Sequence, residues 1–184
     1  MSLSLLPKPR HFLVAPSLVL AVSLALAGCA DTSDNFPPPC PTLTLLTDAG
    51  DLTRFAGAGR DVTDLALAAR ISAIGAKCTR EGKAAVKATI NIVADVARGP
   101  AFVGRVVDIP YFIAITEAGR IIEKRAFTAH VEFPANVSRV PFKGPEVELF
   151  VAVSPEKNAS VYKIFVGFSL TPDEVAYNRR PAGG

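Results

Sequence analysis

"AAVKATINIVADV", residues Ala84 to Val96, decides the fold class. Val86, Ala88, Ile90, Ile92, Ala94 and Val96 recur at every second position, with Lys87, Thr89, Asn91 and Asp95 between them. A period of two lets a pleated strand bury one face and wet the other, whereas a helix would scatter the same side chains around its circumference. The stretch therefore reads as a half-buried β-strand.

The same period extends in both directions. In "KRAFTAHVEF", Lys124 to Phe133, the apolar positions are Phe127, Ala129, Val131 and Phe133; in "VYKIFVGFSL", Val161 to Leu170, they are Tyr162, Ile164, Val166, Phe168 and Leu170. Further strands are predicted at Thr42 to Leu46, Leu67 to Cys78 with a bulge near Gly75, Val106 to Thr116, and Val147 to Val153. The alanine and leucine content of residues 61–74 would also suit a helix, and a strand from Leu67 onward is the preferred reading. "IPYFIAI", Ile109 to Ile115, is apolar on both faces, which places it centrally or under a covering loop. "EAGR", Glu117 to Arg120, supplies a hairpin turn. About seven strands rich in valine, isoleucine and phenylalanine predict an all-β fold, an antiparallel immunoglobulin-like sandwich, with a small β-barrel as the alternative. "TPDEVAYNRR" closes the domain with a short helix: Thr171 caps it, Pro172 takes the first helical position and Glu174 completes a capping box.

The N-terminus is built differently. Lys8 and Arg10 precede an uncharged apolar run from Phe12 to Gly28, and the first acidic residue is Asp31. Basic, apolar, then small is the order of an export signal. Leu26-Ala27-Gly28-Cys29 resembles the lipobox of bacterial lipoprotein precursors. The resemblance implies cleavage between Gly28 and Cys29, a diacylglycerol on the Cys29 thiol, and three segments: residues 1–28 as signal, 29–41 as a lipidated Pro-rich tether and 42–184 as the folded domain. An uncleaved anchor over Phe12 to Ala30 is the competing reading, with Pro16 against it. Ala30 stands where inner-membrane lipoproteins of this type carry Asp, which points to the outer membrane, facing the periplasm. From Cys29 to Cys40 the "NFPPPCP" tether reaches at most about 35 Å.

Composition narrows the function. Loss of residues 1–28 takes Lys8 and Arg10 with it, so the net charge of +3 over the full 184 residues falls to +1 and gives no argument for a nucleic-acid partner. Cys40 and Cys78 then form an even pair in a compartment that permits disulfides, with two unpaired thiols as the alternative.

Candidate chemistry is sparse. His130 is the only histidine after processing, and it falls on the polar face of its strand, so neither a triad nor a metal site is predicted. Gly57 and Gly59 lack the third glycine, preceding strand and following helix of a phosphate-binding turn. Asp48, Asp51, Asp61 and Asp64 match no calcium-loop spacing and are interrupted by Arg54 and Arg60. What remains is recognition: Tyr111 with Phe112, and Tyr177 with Arg179 and Arg180, combine residue types favoured at interfaces, against core packing and an ordinary helix end as plainer readings. No cofactor is predicted. The lipobox, the sandwich pattern and "VGFSLTPDEVAYNRR" together resemble uncharacterised lipoproteins of Gram-negative, alphaproteobacterial cell envelopes. The expectation is a non-enzymatic, membrane-anchored lipoprotein that binds or supports another envelope protein. The alternatives are a carrier or chaperone for an apolar ligand, and a hydrolase, which the single histidine disfavours.

Overall fold

A computed structural model describes residues 38–180; Gly28, Cys29 and the signal lie outside the described residues, as do tether residues 30–37. In chain order the elements are β1 (Thr42–Leu45), β2 (Asp51–Phe55), β3 (Leu65–Glu81), β4 (Ala85–Arg98), β5 (Val106–Glu117), β6 (Arg120–Glu132), β7 (Arg139–Lys143), β8 (Val147–Ala152), β9 (Tyr162–Phe168) and helix α1 (Pro172–Asn178). They form two sheets, one ordered β1-β9-β5-β6 and the other β2-β3-β4-β7 with β8 also on β4. The inner faces meet in one core that takes Val86, Ile90, Ile92 and Val96 from β4, Ile109, Ile113 and Ile115 from β5, and Ile164, Val166 and Phe168 from β9. The period of two in each strand is the reason those residues share a face.

Four expectations change. Among the described residues nine strands replace seven, because β2 ("DLTRF") and β7 ("RVPFK") are short edge strands too polar or too interrupted to show a period. The barrel alternative falls, since the two sheets are hydrogen-bonded separately and end on their own edge strands. Antiparallel pairing is not universal either: β1 runs parallel to β9, from Thr42 beside Lys163 to Leu45 beside Val166. The bulge in β3 is also displaced. It falls between Ile71 and Ala73, whereas Gly75 pairs regularly with Asn91. A bulge turns a strand's parity over, and β3 needs that turn before Ile74, whose partner Ile92 already faces the core.

Other expectations hold. β5 is central, flanked by β9 and β6, which explains its apolar character on both faces. The β5–β6 turn places Ala118 and Gly119 at φ 48° and 79°, the left-handed pair a tight two-residue hairpin requires. At α1, Thr171 accepts from the Glu174 amide at 3.2 Å and Glu174 Oε2 accepts from the Thr171 amide at 2.8 Å, completing the capping box.

Register also sorts the loops. Ala85 lies beside Ala152, Glu117 beside Tyr162 and Thr42 beside Lys163. The β3–β4 turn, the β5–β6 turn, the β8–β9 connection and Cys40 therefore share one end of the sandwich. The β2–β3, β4–β5 and β6–β7 loops and the start of α1 occupy the other.

Candidate interaction surfaces

Cys40 and Cys78 are bonded, with Cα atoms 5.7 Å apart. Cys40 stands just before β1 in one sheet and Cys78 faces inward from β3 in the other, so the bond staples the two sheets together. It fixes the start of β1 to the domain.

The two predicted recognition clusters separate. Tyr111 is only 3% exposed, stacked on Phe127 at 5.2 Å and edge-on to Phe142 at 6.1 Å. It belongs to the core, because its odd position in β5 shares the inner face with Ile109 and Ile113. Burial raises its phenol pKa above the ordinary value. Phe112 points the other way. It is half-buried on the outer face, where the Lys124 ammonium lies 4.5 Å from its ring centroid and Gly167 leaves room beside Ala49.

Tyr177 and Arg180 come together at the flank where α1 covers β2, whereas Arg179 turns to Asp48 and lines a separate hollow with Leu170, Pro172, Val175 and Ala176. The Tyr177 ring meets Phe55 edge-on at 5.2 Å, Arg180 lies over Tyr177 at 5.6 Å, and Arg179 Nε donates to Asp48 Oδ2 at 2.7 Å. Asn178 Nδ2 donates to the Asp48 and Asp51 carbonyls at 2.9 and 2.7 Å, which holds the helix end down. Below them a groove of about 280 Å³ is lined by Arg54, Phe55, Arg60, Thr171, Glu174 and Tyr177. Both of its guanidinium groups are committed: Arg54 Nε donates to Glu174 Oε1 at 3.0 Å, and Arg60 Nη1 donates to the Gly59 carbonyl at 2.7 Å. Arg54 was legible only as an interruption in an acidic run; its inward-facing position on β2 is what makes it a partner for α1.

The remaining chemistry-bearing residues are placed singly. His130 Nδ1 and Asp108 Oδ1 lie 2.8 Å apart across β5 and β6, both well exposed, and no hydroxyl bonds the imidazole among the described residues. Asp48 serves Arg179, Asp51 serves Arg70, and Asp61 with Asp64 caps a single turn, Val62–Asp64. Among the described residues there is no group of three or more histidine, cysteine or carboxylate side chains that could hold a metal. Between the sheets, the void beside Ile92, Ala94, Ile109 and Tyr111 measures about 10 Å³, roughly the room one water needs. No helix among the described residues is long and apolar enough to cross a membrane.

Elsewhere on the surface, ion pairs join neighbouring strands. Lys87 lies 3.1 Å from Glu148 and 3.6 Å from Glu81, and Lys157 lies 2.5 Å from Glu117; these carboxylates raise both lysine pKa values, chiefly by accepting the hydrogen bonds that the ammonium groups donate to Glu148 and Glu117. Arg125 Nη1 crosses from β6 to donate to the Glu148 carbonyl at 2.9 Å, and the Tyr162 hydroxyl donates to the Ala152 carbonyl at 2.8 Å. Both close carbonyls on the outer edge of β8, the kind of cover that keeps an edge strand from pairing with another chain. Comparison with known proteins gives no match: no family model, no curated protein and no solved structure is similar to the chain.

Proposed function

We propose that this chain is a lipid-anchored protein of the cell envelope, held through Cys29 and presenting an immunoglobulin-like sandwich with a non-enzymatic binding or structural role. Its place is the outer membrane, facing the periplasm, and its partner is another envelope protein. The observation that carries the reading is the position of the Cys40–Cys78 bond, eleven residues after Cys29 in the sequence. A covalent staple at the point where a tether meets its domain suits an exported, anchored protein, because disulfides persist in oxidising compartments.

The domain's interior supports binding by surface rather than by cavity. A void of about 10 Å³ falls far below the roughly 300 Å³ at which small-molecule pockets begin, so the apolar-carrier alternative gains no support from the space between the sheets. A hydrolase gains none from His130, whose only side-chain partner among the described residues is Asp108. The α1 flank, where Tyr177 lines the groove and Arg180 lies over its ring, is the surface best suited to a protein partner. The two-sheet architecture supports the immunoglobulin-like class in its broad sense, with a strand order of its own.

The intact mass of protein extracted from native membranes tests the reading. A mass of residues 29–184 plus acyl groups is expected; an unmodified full-length mass overturns it in favour of a transmembrane anchor. Cys29→Ala adds a second test, since it removes the thiol that accepts the lipid and leaves the precursor unprocessed.

A further inference from the structure

We infer that the end of the sandwich carrying Cys40 is a face that rests on an anionic phospholipid surface. Register brings to this end the β3–β4 turn, the β5–β6 turn, the β8–β9 connection and the first residue of the domain's covalent staple. Its charges are unevenly spent. Glu81 and Glu148 are occupied by Lys87, Glu117 by Lys157 and Glu123 by Arg125. Arg80, Lys83, Arg120 and Lys163 are all exposed, and among the described residues none of them forms an ion pair. Glu156, in the β8–β9 connection, accepts only from Ser154 Oγ, so the rim keeps these four free cations against one free carboxylate, its other carboxylates being paired in place.

Apolar side chains stand among those cations. Ile121 and Ile122 follow Arg120 and are 64% and 52% exposed, and Val161, 45% exposed, lies two residues before Lys163. Cationic side chains interleaved with exposed aliphatic ones suit the headgroup boundary, where phosphates meet the first acyl carbons. Each Lys or Arg brought to an anionic bilayer changes partitioning by about fivefold. The opposite end is mixed in sign: Asp61, Asp64 and Asp173 stand there beside Arg60 and Arg105. A short tether entering at Cys40 delivers the basic rim to the bilayer first. This step rests on the anchored reading above, and its consequence is a fixed orientation: the rim lies down and the β2–β3, β4–β5 and β6–β7 loops point outward.

The test uses the full processed protein, purified from membranes with Cys40–Cys78 oxidised, and reconstituted into vesicles of phosphatidylcholine with or without phosphatidylglycerol. A fluorophore is placed on Ala84→Cys at the rim or on Val103→Cys at the far end, against a quencher attached to lipid headgroups. Several-fold stronger quenching at position 84 than at 103 is expected, only with phosphatidylglycerol, and diminished by salt. Reversal of Arg80, Lys83, Arg120 and Lys163 to Glu should abolish the difference while the melting temperature stays near that of the parent. Equal quenching at both positions, or a preference that survives the reversal, overturns the proposal. The intact mass of the same preparation reads the anchor separately. If it shows no acyl groups, the two labels still report on the rim, because contact through cations requires no anchor.

Discussion

Ile71 and Cys78 both face the core from β3 although seven positions, an odd number, separate them. In an unbroken strand they would lie on opposite faces. The bulge resolves this: Ile71 pairs with Ala94 and Ala73 with Val93, so Ser72 is the residue left over. Cys78 meets Cys40 because Ser72 is bypassed.

Deleting Ser72 should therefore be tolerated. Ala94 and Val93 are consecutive in β4, so removal of the extra residue joins two stretches of ladder into one with Ile74 and Cys78 still inward. The expected result is an oxidised Cys40–Cys78 pair and a stability change within about 1 kcal/mol, the loss of local twist being the main cost. Free thiols found by alkylation without reductant would contradict this account of the bulge.

Reduction of the disulfide should act first on β1. That strand is four residues long, pairs with β9 alone, and depends on Cys40 to bring its start to the domain. Chain-entropy reasoning for a closed loop of this length gives about 4 kcal/mol. Reductant should lower the melting temperature substantially, and amide exchange should accelerate over residues 42–45 before it does in β4. An unchanged melting temperature would mean the sheets hold without the staple.

Much of this fold was legible because burial writes a period of two into long strands. β4, β6 and β9 were visible from that period alone, and the α1 cap from Thr171, Pro172 and Glu174. β2 and β7 were not, for a physical reason. Each is five residues long and lies at a sheet edge; β2 carries Asp51 and Arg54, and β7 carries Pro141, which edge strands tolerate. A glycine is the usual local marker of a bulge and points to Gly75, whereas the decisive signal is the parity between Ile71 and Ile74. Tyr111 was ambiguous for a similar reason: an aromatic pair in a run apolar on both faces does not reveal which ring turns inward. The rim cations were invisible as a group, since Arg80, Lys83, Arg120 and Lys163 come from separate segments that only the register unites.

The Arg54–Glu174 pair should be separable from the helix cap. Glu174 uses Oε1 for Arg54 and Oε2 for the Thr171 amide, and its side chain is only 9% exposed. Glu174→Gln keeps a capping side chain and loses the charge, so a cost of about 1 kcal/mol is expected. Glu174→Ala loses both and should cost roughly 2 to 3 kcal/mol. Arg54→Ala leaves the carboxylate with the Thr171 amide alone and should fall between them. Thermal melts of the three variants check the ordering. Equal losses for Gln and Ala would assign the whole effect to the ion pair.

Tyr111 should make its mark on the alkaline side of the stability curve. Its ring fills the space between Phe127 and Phe142, so Tyr111→Ala is expected to cost about 3 to 5 kcal/mol. Its hydroxyl forms no hydrogen bond with the described residues, so Tyr111→Phe should change stability at neutral pH by less than about 1 kcal/mol. Burial holds the folded phenol protonated beyond its ordinary range, and an unfolded chain releases that proton at about pH 10. Stability linked to this proton is complete below that pH and declines as pH rises toward the folded value. Lys87 and Lys157 act in the same direction, since Glu148 and Glu117 raise their pKa values and that benefit disappears as the ammonium groups deprotonate. Tyr111→Phe should therefore match the parent at neutral pH, lose the latest component of the phenolate absorbance titration, and melt higher than the parent above about pH 10. A variant whose melting temperature falls in step with the parent throughout that range would show that Tyr111 does not carry the alkaline transition, leaving the two lysine pairs as its source.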